Sequence, residues 1–141
     1  MNSAAPTIAR LARMLERKTS GLSLAHYRVL AAVAAGDERA SRLAERLTLG
    51  KPAISAAVDA LCSAGLLERT AVEDDLRATA LRLTGDGTRR LAEVEASIRP
   101  WLDTVIDRTP DPAQVRQSLA WLGTALDDLA EEHNALRKAA R

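Results

Sequence analysis

Cysteine and aromatic side chains are the scarcest residues in this chain of 141 residues. Cys62 is the single cysteine, so no disulfide can form within the chain. Because structural disulfides belong mostly to oxidising compartments, their absence leads us to expect a cytoplasmic protein. Free cysteine behaves as a small apolar side chain, so we expect Cys62 to be structural and partly buried. Phenylalanine is absent and alanine is abundant. Alanine has the highest helix propensity, so the composition favours a mainly helical fold.

Long apolar runs are also missing. No stretch reaches the roughly 18 apolar residues of a membrane span, because charged residues such as Lys51 and Asp59 interrupt each one. The first ten residues, MNSAAPTIAR, lack a basic segment followed by an apolar run, so we expect no signal peptide. The length is sufficient for a buried core, and we expect one domain with no membrane partner.

Neither sign of charge dominates, and residues typical of catalysis are sparse. The formal net charge of +1 is a weak argument against nucleic acid as a partner. We find no Ser-His-Asp or Cys-His set and no glycine-rich phosphate loop, so we expect no enzyme and no cofactor. The acidic run Glu73, Asp74 and Asp75 lacks calcium-loop spacing, and two histidines are too few for zinc. We therefore expect no metal site.

Apolar residues at spacings of three and four predict four helices in the first half of the chain. A loose tail at residues 1–6 precedes the first helix, which is predicted around residues 8–15. Ser23 and Ser41 are good N-caps for the next two, and Pro52 suits the first turn of the fourth. The side chains expected to face inwards from helices two to four are Tyr27, Leu30, Ala34, Leu43, Ala44, Leu47, Ile54, Val58 and Leu61.

Two short strands are predicted next, with the acidic run in the loop between them. LLERTAV at residues 66–72 is rich in β-forming residues, and TALRLT at residues 79–84 alternates between two faces. Two helices joined by the tight break TLGK and followed by a hairpin are typical of a winged helix-turn-helix. An ordinary α+β domain with a solvated hairpin is the alternative.

The second half of the chain predicts two long helices separated by TPDP. Pro100 lies inside the first pattern and should kink or break that helix near Ser97. Leu91, Val94, Ile98, Trp101 and Val105 form the apolar stripe of the first of these helices. A helical pair this long exceeds what a small domain needs to cover its own core, so we expect a second copy of the chain to cover the surplus apolar stripe. A pair of helices within one chain is the alternative. The heptad-like stripe consists of Val115, Leu119, Leu122, Leu126, Leu129, His133 and Leu136.

The segment SRLAERLTLGKPAISAAVDALCSAGLLERTAVEDDLRATALRLTGDG resembles the MarR family (multiple antibiotic resistance regulators), which are winged-helix transcription factors. The helix pair LAERL…PAISAAVDAL, the stretch GLLER and the stretch DLRATALRLTGDG carry the resemblance. It implies a single, mainly α domain over residues 1–141 with a small β-hairpin wing. Residues 22–87 would form the DNA-binding lobe, and residues 7–20 and 88–141 the helical dimerisation region. It also implies a homodimeric repressor of a pseudo-palindromic operator in double-stranded DNA.

The family pattern inserts a wing-tip arginine into the DNA minor groove and orients it with the aspartate two residues earlier. Here these residues are Arg77 and Asp75. The recognition helix departs from the pattern, because Ala56 and Ala60 occupy positions where arginine is frequent in the family. A winged helix used for protein contacts, with weak or no specific DNA binding, is therefore the alternative. The predicted DNA-contacting residues are Arg39, Ser41, Arg42, Arg46, Lys51, Pro52, Ala53, Ser55, Ala56, Asp59, Arg69, Asp75, Arg77 and Arg82.

Other readings of some of these charged residues stay open. Arg69 and Arg82 could reach the DNA backbone or pair with Glu68. The resemblance also implies a pocket for a small lipophilic or phenolic effector between the dimerisation region and the DNA-binding lobe. The alternative is that the arginines among the candidate residues are solvated and that the Met and Trp side chains belong to the core. The candidate residues are Arg10, Met14, Arg17, His26, Tyr27 and Trp101.

Overall fold

The computed structural model describes residues 3–36, 39–72 and 75–141, and for residues 72 and 75–78 it describes the backbone alone. The described residues form helices at both ends of the chain and one antiparallel hairpin, as the sequence predicts. In chain order the elements are α1 (Ala4–Glu16), α2 (Leu24–Ala34), α3 (Ala40–Leu47), α4 (Lys51–Ser63), β1 (Leu67–Val72), β2 (Asp75–Leu83), α5 (Gly85–Ile106) and α6 (Pro112–Ala139).

The first helix starts earlier than predicted. Residues 1–6 were expected to be a loose tail, but α1 begins at Ala4. Pro6 is compatible with this start, because N–H groups in the first turn have no acceptor within the helix. Thr19 ends the turn after α1, where its buried hydroxyl contacts the carbonyls of Glu16, at 2.7 Å, and Leu22.

The core lies between α2, α3, α4 and the hairpin. Ser23 caps α2 as predicted, and its Oγ accepts a hydrogen bond from the backbone N–H of His26 at 3.0 Å. Ala34 was wrongly predicted to face inwards; it is exposed, because Ala32 and Val33 occupy the buried positions of that turn. The buried apolar side chains of this core are Val29, Leu30, Ala32, Val33, Leu43, Leu47, Ile54, Ala57, Val58, Leu61, Leu67, Leu81 and Leu91.

Ser41 is not the cap of the third helix. α3 begins at Ala40, so Ser41 lies within its first turn, and Arg39 holds the N-cap position without a side-chain cap bond. The backbone of Arg39 instead forms an isolated antiparallel bridge with Ala80 of β2. This bridge joins the start of α3 to the hairpin.

The hairpin is longer than predicted, because β2 begins at Asp75 and not near residue 79. Leu67 pairs with Leu83 and Arg69 with Leu81, while Glu68 lies opposite Arg82. Successive side chains on a strand point to opposite faces. Leu67, Arg69 and Leu81 therefore share the face that packs on the core, and Glu68 and Arg82 share the outer face.

α5 begins with a tight cluster around Thr84. The Thr84 hydroxyl donates to the carbonyl of Gly65 at 2.6 Å and accepts from the backbone N–H of Gly87 at 2.9 Å. A Cβ atom on Gly87 would lie 2.0 Å from the carbonyl oxygen of Leu66, so only glycine fits there. The helix then runs through Pro100 to Ile106, and the predicted break near Ser97 does not occur. Pro100 lacks the N–H that would donate to the carbonyl four residues earlier. Separately, the Thr104 hydroxyl donates to the Pro100 carbonyl at 2.8 Å.

α6 contacts α5 at its start and α3 towards its end. The Arg116 guanidinium lies 3.0 Å from Asp103 and 2.9 Å from Asp107, and these hydrogen bonds raise the pKa of Arg116. Arg46 of α3 lies 3.9 Å from Asp127 of α6. Among the described residues, no helix is both long and apolar enough to cross a membrane.

The apolar side of α6 is left uncovered within one chain. Ala130 is the one buried residue of this 28-residue helix. Leu126 is 65% exposed, and its neighbours along the predicted stripe are similarly open. We call these side chains the α6 stripe: Leu119, Leu122, Leu126, Leu129 and Leu136.

Candidate nucleic-acid interface

α4 presents two chemically different faces. Ile54, Ala57, Val58 and Leu61 are buried against the core. The opposite side is fully exposed, and Gly50 caps the helix without a side-chain hydrogen bond. Backbone N–H groups at a helix start are therefore available next to a surface of small side chains. The exposed residues of this face are Lys51, Pro52, Ala53, Ser55, Ala56, Asp59 and Ala60, which include all the positions predicted to read DNA from α4.

α3 brings its predicted contact residues to the same lobe. Ser41, Arg42 and Arg46 are exposed on this helix, and Arg39 is exposed immediately before it. Their electrostatic surroundings differ, because Asp127 of α6 lies 3.9 Å from Arg46. Ser41 and Arg42 lie at the helix start, where the macrodipole favours anions. This arrangement suits contacts with phosphate more than readout of bases.

Arg69 pairs with the recognition helix and not with Glu68. Its Nη2 donates to Oδ1 of Asp59, and both side chains are substantially exposed. The strand geometry explains the difference, because Arg69 projects from the hairpin face that packs on α4 while Glu68 projects from the outer face. Glu68 has Arg82 as its cross-strand neighbour. The structure thus links α4 to the hairpin through a carboxylate–guanidinium pair that the sequence analysis did not anticipate.

The predicted wing-tip pair lies at the start of β2. The backbone of Asp75 and Arg77 belongs to β2. Their side chains lie outside the described residues, as do Glu73 and Asp74 of the acidic run. Elsewhere in the described chain, no group of three or more His, Cys, Asp or Glu side chains is arranged to hold a metal ion.

Arg28 is a positioning residue that sequence reasoning missed. Its Nη2 donates to the backbone carbonyl of Leu47 at 2.8 Å, at the end of α3. Thr48, directly after this carbonyl, adopts a left-handed conformation with φ 54° and turns the chain towards α4. The two partners are 19 residues apart, so no local pattern signals the contact. The bond fixes the turn between the two helices of the motif.

The six candidate effector residues lie on three helices. Arg10 and Met14 are exposed on α1, and Arg17 is exposed just after it. His26 and Tyr27 are half-buried on α2, and Trp101 is half-buried on α5. Burial, with a smaller effect of the Glu95 charge, raises the pKa of Tyr27.

Clefts lie between α6 and the helix-turn-helix. One, of about 450 Å³, lies between α3 and α6, and its lining residues are Arg42, Glu45, Arg46, Asp127, Ala130, Glu131 and Asn134. Another, of about 130 Å³, lies between the end of α6 and the start of α4. Its lining residues are Ser41, Ala44, Glu45, Leu49, Lys51, Asn134, Arg137, Lys138 and Arg141. Sequence reasoning assigned the end of α6 to dimerisation alone and so did not associate its cations with α4.

Solved structures with this fold include DNA-bound and ligand-bound proteins. MOSR of M. tuberculosis in complex with DNA has 24% identity and a TM-score of 0.68, covering 91% of this chain and 98% of that one. A mutant MarR of E. coli complexed with operator DNA has 20% identity and a TM-score of 0.69, with coverages of 79% and 84%. PcaV of Streptomyces coelicolor with its natural ligand has 21% identity and a TM-score of 0.71, with coverages of 92% and 94%.

Sequence comparison adds the family to the fold. The curated proteins gave no sequence match to this chain. A sequence model described as the MarR family matches residues 20–78, which contain α2, α3, α4 and much of the hairpin. The matched segment is the one whose exposed α4 face and paired Asp59 and Arg69 are described above. Residues 20–78 of this winged helix-turn-helix chain therefore match the MarR family, and the chain has the fold of solved MarR-family transcription regulators.

Proposed function

We propose that the chain acts as a homodimeric repressor that binds a pseudo-palindromic operator in double-stranded DNA. The observation that carries the proposal is the exposed face of α4, which stands clear of the core on a helix whose other side is fully buried. In a helix-turn-helix the second helix enters the major groove with its N-terminal residues on the base edges. Such a regulator has no enzymatic step, and we place it in the cytoplasm.

The division of labour follows from the side chains of the lobe. Ser55 can hydrogen-bond to a base edge, and the methyl groups of Ala53 and Ala56 suit contact with the thymine methyl. Arg39, Ser41, Arg42, Arg46 and Lys51 would hold phosphates, and phosphate contacts fix position without reading sequence. Specificity then rests heavily on DNA shape, with Arg77 and Asp75 on the hairpin reading the minor groove.

The dimer half of the proposal is supported by the α6 stripe. Monomeric soluble proteins rarely expose a large contiguous apolar patch. Five leucines between 44% and 71% exposed follow one side of α6. A second copy that aligns its own stripe would bury both and present two copies of α4. In this arrangement residues 22–87 read DNA, and residues 7–20 and 88–141 hold the two chains together.

The release of the operator by a small lipophilic or phenolic effector completes the proposal. Its support is that Tyr27 of α2 is half-buried against the core of the lobe and that Trp101 of α5 is half-buried as well. The Tyr27 hydroxyl is a hydrogen-bond donor that an anionic ligand could use. A ligand that favours one separation of the two α4 helices would shift the population away from the DNA-bound state. Isothermal titration with benzoate-like and phenolic compounds, with Tyr27→Phe as the matched control, tests this part.

The test of the DNA-binding function is selection of genomic fragments by the purified protein. Wild type should retain a small set of fragments, and Ser55→Glu should retain none, because a carboxylate on the α4 face repels phosphate. Ala92→Glu adds the same charge on an exposed site of α5 and should behave as wild type. If Ser55→Glu retains the same fragments as wild type, the α4 face does not read DNA.

The exposed face of α4 also gives some support to a second function, which is contact with another protein. Lys51 is its one cation among the exposed α4 residues, and few of its groups can make the bidentate contact to guanine. A winged helix that contacts another protein would show normal dimerisation with no fragment retained even at low salt. That result would replace the repressor with a protein-interaction module.

A further inference from the structure

We propose that the end of α6 forms a phosphate-backbone site for DNA next to the start of α4, an inference that rests on the proposed DNA-binding function. The residues concerned are Arg137, Lys138 and Arg141, which we call the C-terminal basic cluster. They line one cleft of about 130 Å³ together with Ser41 and Lys51. The site enlarges the DNA-contacting surface beyond the two helices and the wing.

The charge of this cleft is strongly one-sided. Its lining includes four cations, namely Lys51 and the C-terminal basic cluster, against one acid, Glu45. Lys138 is partly compensated, because its Nζ lies 3.7 Å from Oε1 of Glu45. Within the part of the chain that the structure describes, Arg137 and Arg141 make no ion pair. The side chains that line the cleft therefore carry a net positive charge.

The position of the cleft selects the occupant. Lys51 is the first residue of α4, where uncapped N–H groups and the helix dipole also favour an anion. The same helix carries the exposed face that the proposed function directs into the major groove. A phosphate seated between Lys51 and Arg137 would be continuous with that interface, so we assign the backbone of the bound duplex to this site.

A purely local role for these cations makes a different prediction. Arg137 and Lys138 lie in the last turn of α6, where positive charge complements the helix macrodipole. If that is their whole role, replacing them lowers thermal stability and leaves DNA binding unchanged. A phosphate site instead alters the salt dependence of binding, because each phosphate contact releases condensed counterions.

The test compares two charge-matched double variants of the full chain. Arg137→Gln/Arg141→Gln removes two cations from the cleft but leaves the Lys138–Glu45 pair intact. Arg99→Gln/Arg108→Gln removes two exposed cations from the end of α5 and the turn after it. Binding to a selected operator duplex and to a scrambled duplex is measured by fluorescence anisotropy between about 50 and 200 mM salt.

The cleft variant should lower the slope of log K against log salt by about 2 per bound chain, while the control keeps the wild-type slope. The ratio of operator to scrambled affinity should stay constant, because phosphate contacts carry no sequence information. Equal slopes for the two double variants would overturn the site. Saturable binding of inorganic pyrophosphate to wild type, lost only in the cleft variant and accompanied by equal slopes, would assign the cleft to a free phosphorylated ligand.

Failure of the proposed function is distinguishable from failure of this site. If wild type prefers the operator and the two double variants match it, the function stands and the cleft proposal fails. If wild type prefers no duplex at any salt concentration, the function itself fails and the cleft proposal fails with it.

Discussion

The winged helix-turn-helix and the last helix of the chain satisfy their apolar surfaces in opposite ways. In the lobe, Leu30, Leu43 and Leu61 are completely or almost completely removed from solvent. α6 has 28 residues against 13 in α4, yet it buries only Ala130 where α4 buries four side chains. The lobe is closed within one chain, and α6 is left open along its apolar stripe.

The difference indicates which part of the molecule depends on a partner. Full burial of a leucine contributes about 1.5–3 kcal/mol relative to an exposed one. The lobe gains this contribution from its own residues, so its stability should not depend on protein concentration. The α6 stripe can gain it only from another surface, which in the proposed function is the stripe of a second copy. The predictions below test this contrast, from the largest expected effect to the smallest.

Leu30→Ala should lower the free energy of unfolding by about 2–5 kcal/mol at every protein concentration, because it leaves a cavity in the closed core. Leu126→Ala removes the same atoms from the α6 stripe, and its cost should shrink on dilution as the partner dissociates. Denaturant unfolding over a range of protein concentrations measures both. If the two variants lose the same stability at all concentrations, α6 is not the open part of the molecule.

Leu126→Asp should abolish the dimer, since it introduces an unpaired charge into the proposed seam at a cost of several kcal/mol, about 3–5 by comparison with buried charges. Ala135→Asp adds the same charge at an exposed position away from the α6 stripe and should leave the dimer intact. Light scattering gives the molar mass, and circular dichroism checks that the lobe stays folded. A folded Leu126→Asp dimer moves the interface elsewhere.

Arg77→Ala should weaken operator binding by about 1–3 kcal/mol per wing without changing the fold or the dimer. Asp75→Asn should cost less, because the guanidinium keeps its charge and loses only its orienting carboxylate. The informative comparison changes the base pairs under the wing from A·T-rich to G·C-rich with constant half-sites. Wild type should favour the narrow A·T-rich groove, and a mutant that keeps this full preference excludes Arg77 from minor-groove reading.

The Asp59–Arg69 pair should give the smallest effect on stability. Exposed ion pairs are typically worth about 0.2–1 kcal/mol, so a double-mutant cycle with Asp59→Asn and Arg69→Gln should give a coupling in this range. The cross-strand neighbours Glu68 and Arg82 provide a control cycle on the outer face of the hairpin. The same four proteins, measured for operator affinity, test whether Asp59 orients Arg69 towards DNA. Zero coupling in both measurements leaves the pair without a role.

The sequence predicted the order and type of elements well, because local signals carry that information. Helical spacing of apolar residues, the Ser23 cap and Pro52 in the first turn of α4 all match the structure. Errors occurred at the start and in the interior of helices. Ser41 is not a cap, because α3 begins one residue earlier, next to the bridge between Arg39 and Ala80. Pro100 lies inside α5 without ending it.

The candidate site was predicted only in part, because local sequence signals indicate some of its features and long-range contacts determine the others. The exposed α4 face follows from a single helical period. The partner of Arg69 depends on which face of β1 packs against α4, and the Arg28 bond spans 19 residues. The approach of the C-terminal basic cluster to Lys51 depends on how α6 folds back over α3. No spacing along the chain encodes these three contacts.

The most direct test of the account is a hydroxyl-radical footprint of the wild-type protein on a selected operator fragment. A dimer that reads with two copies of α4 should protect two half-sites whose centres lie about 10–10.5 bp apart. Protection of the minor groove should accompany each half-site where the wing lies. A single protected half-site, with no symmetric counterpart at saturating protein, would contradict the two-fold reading on which the account depends.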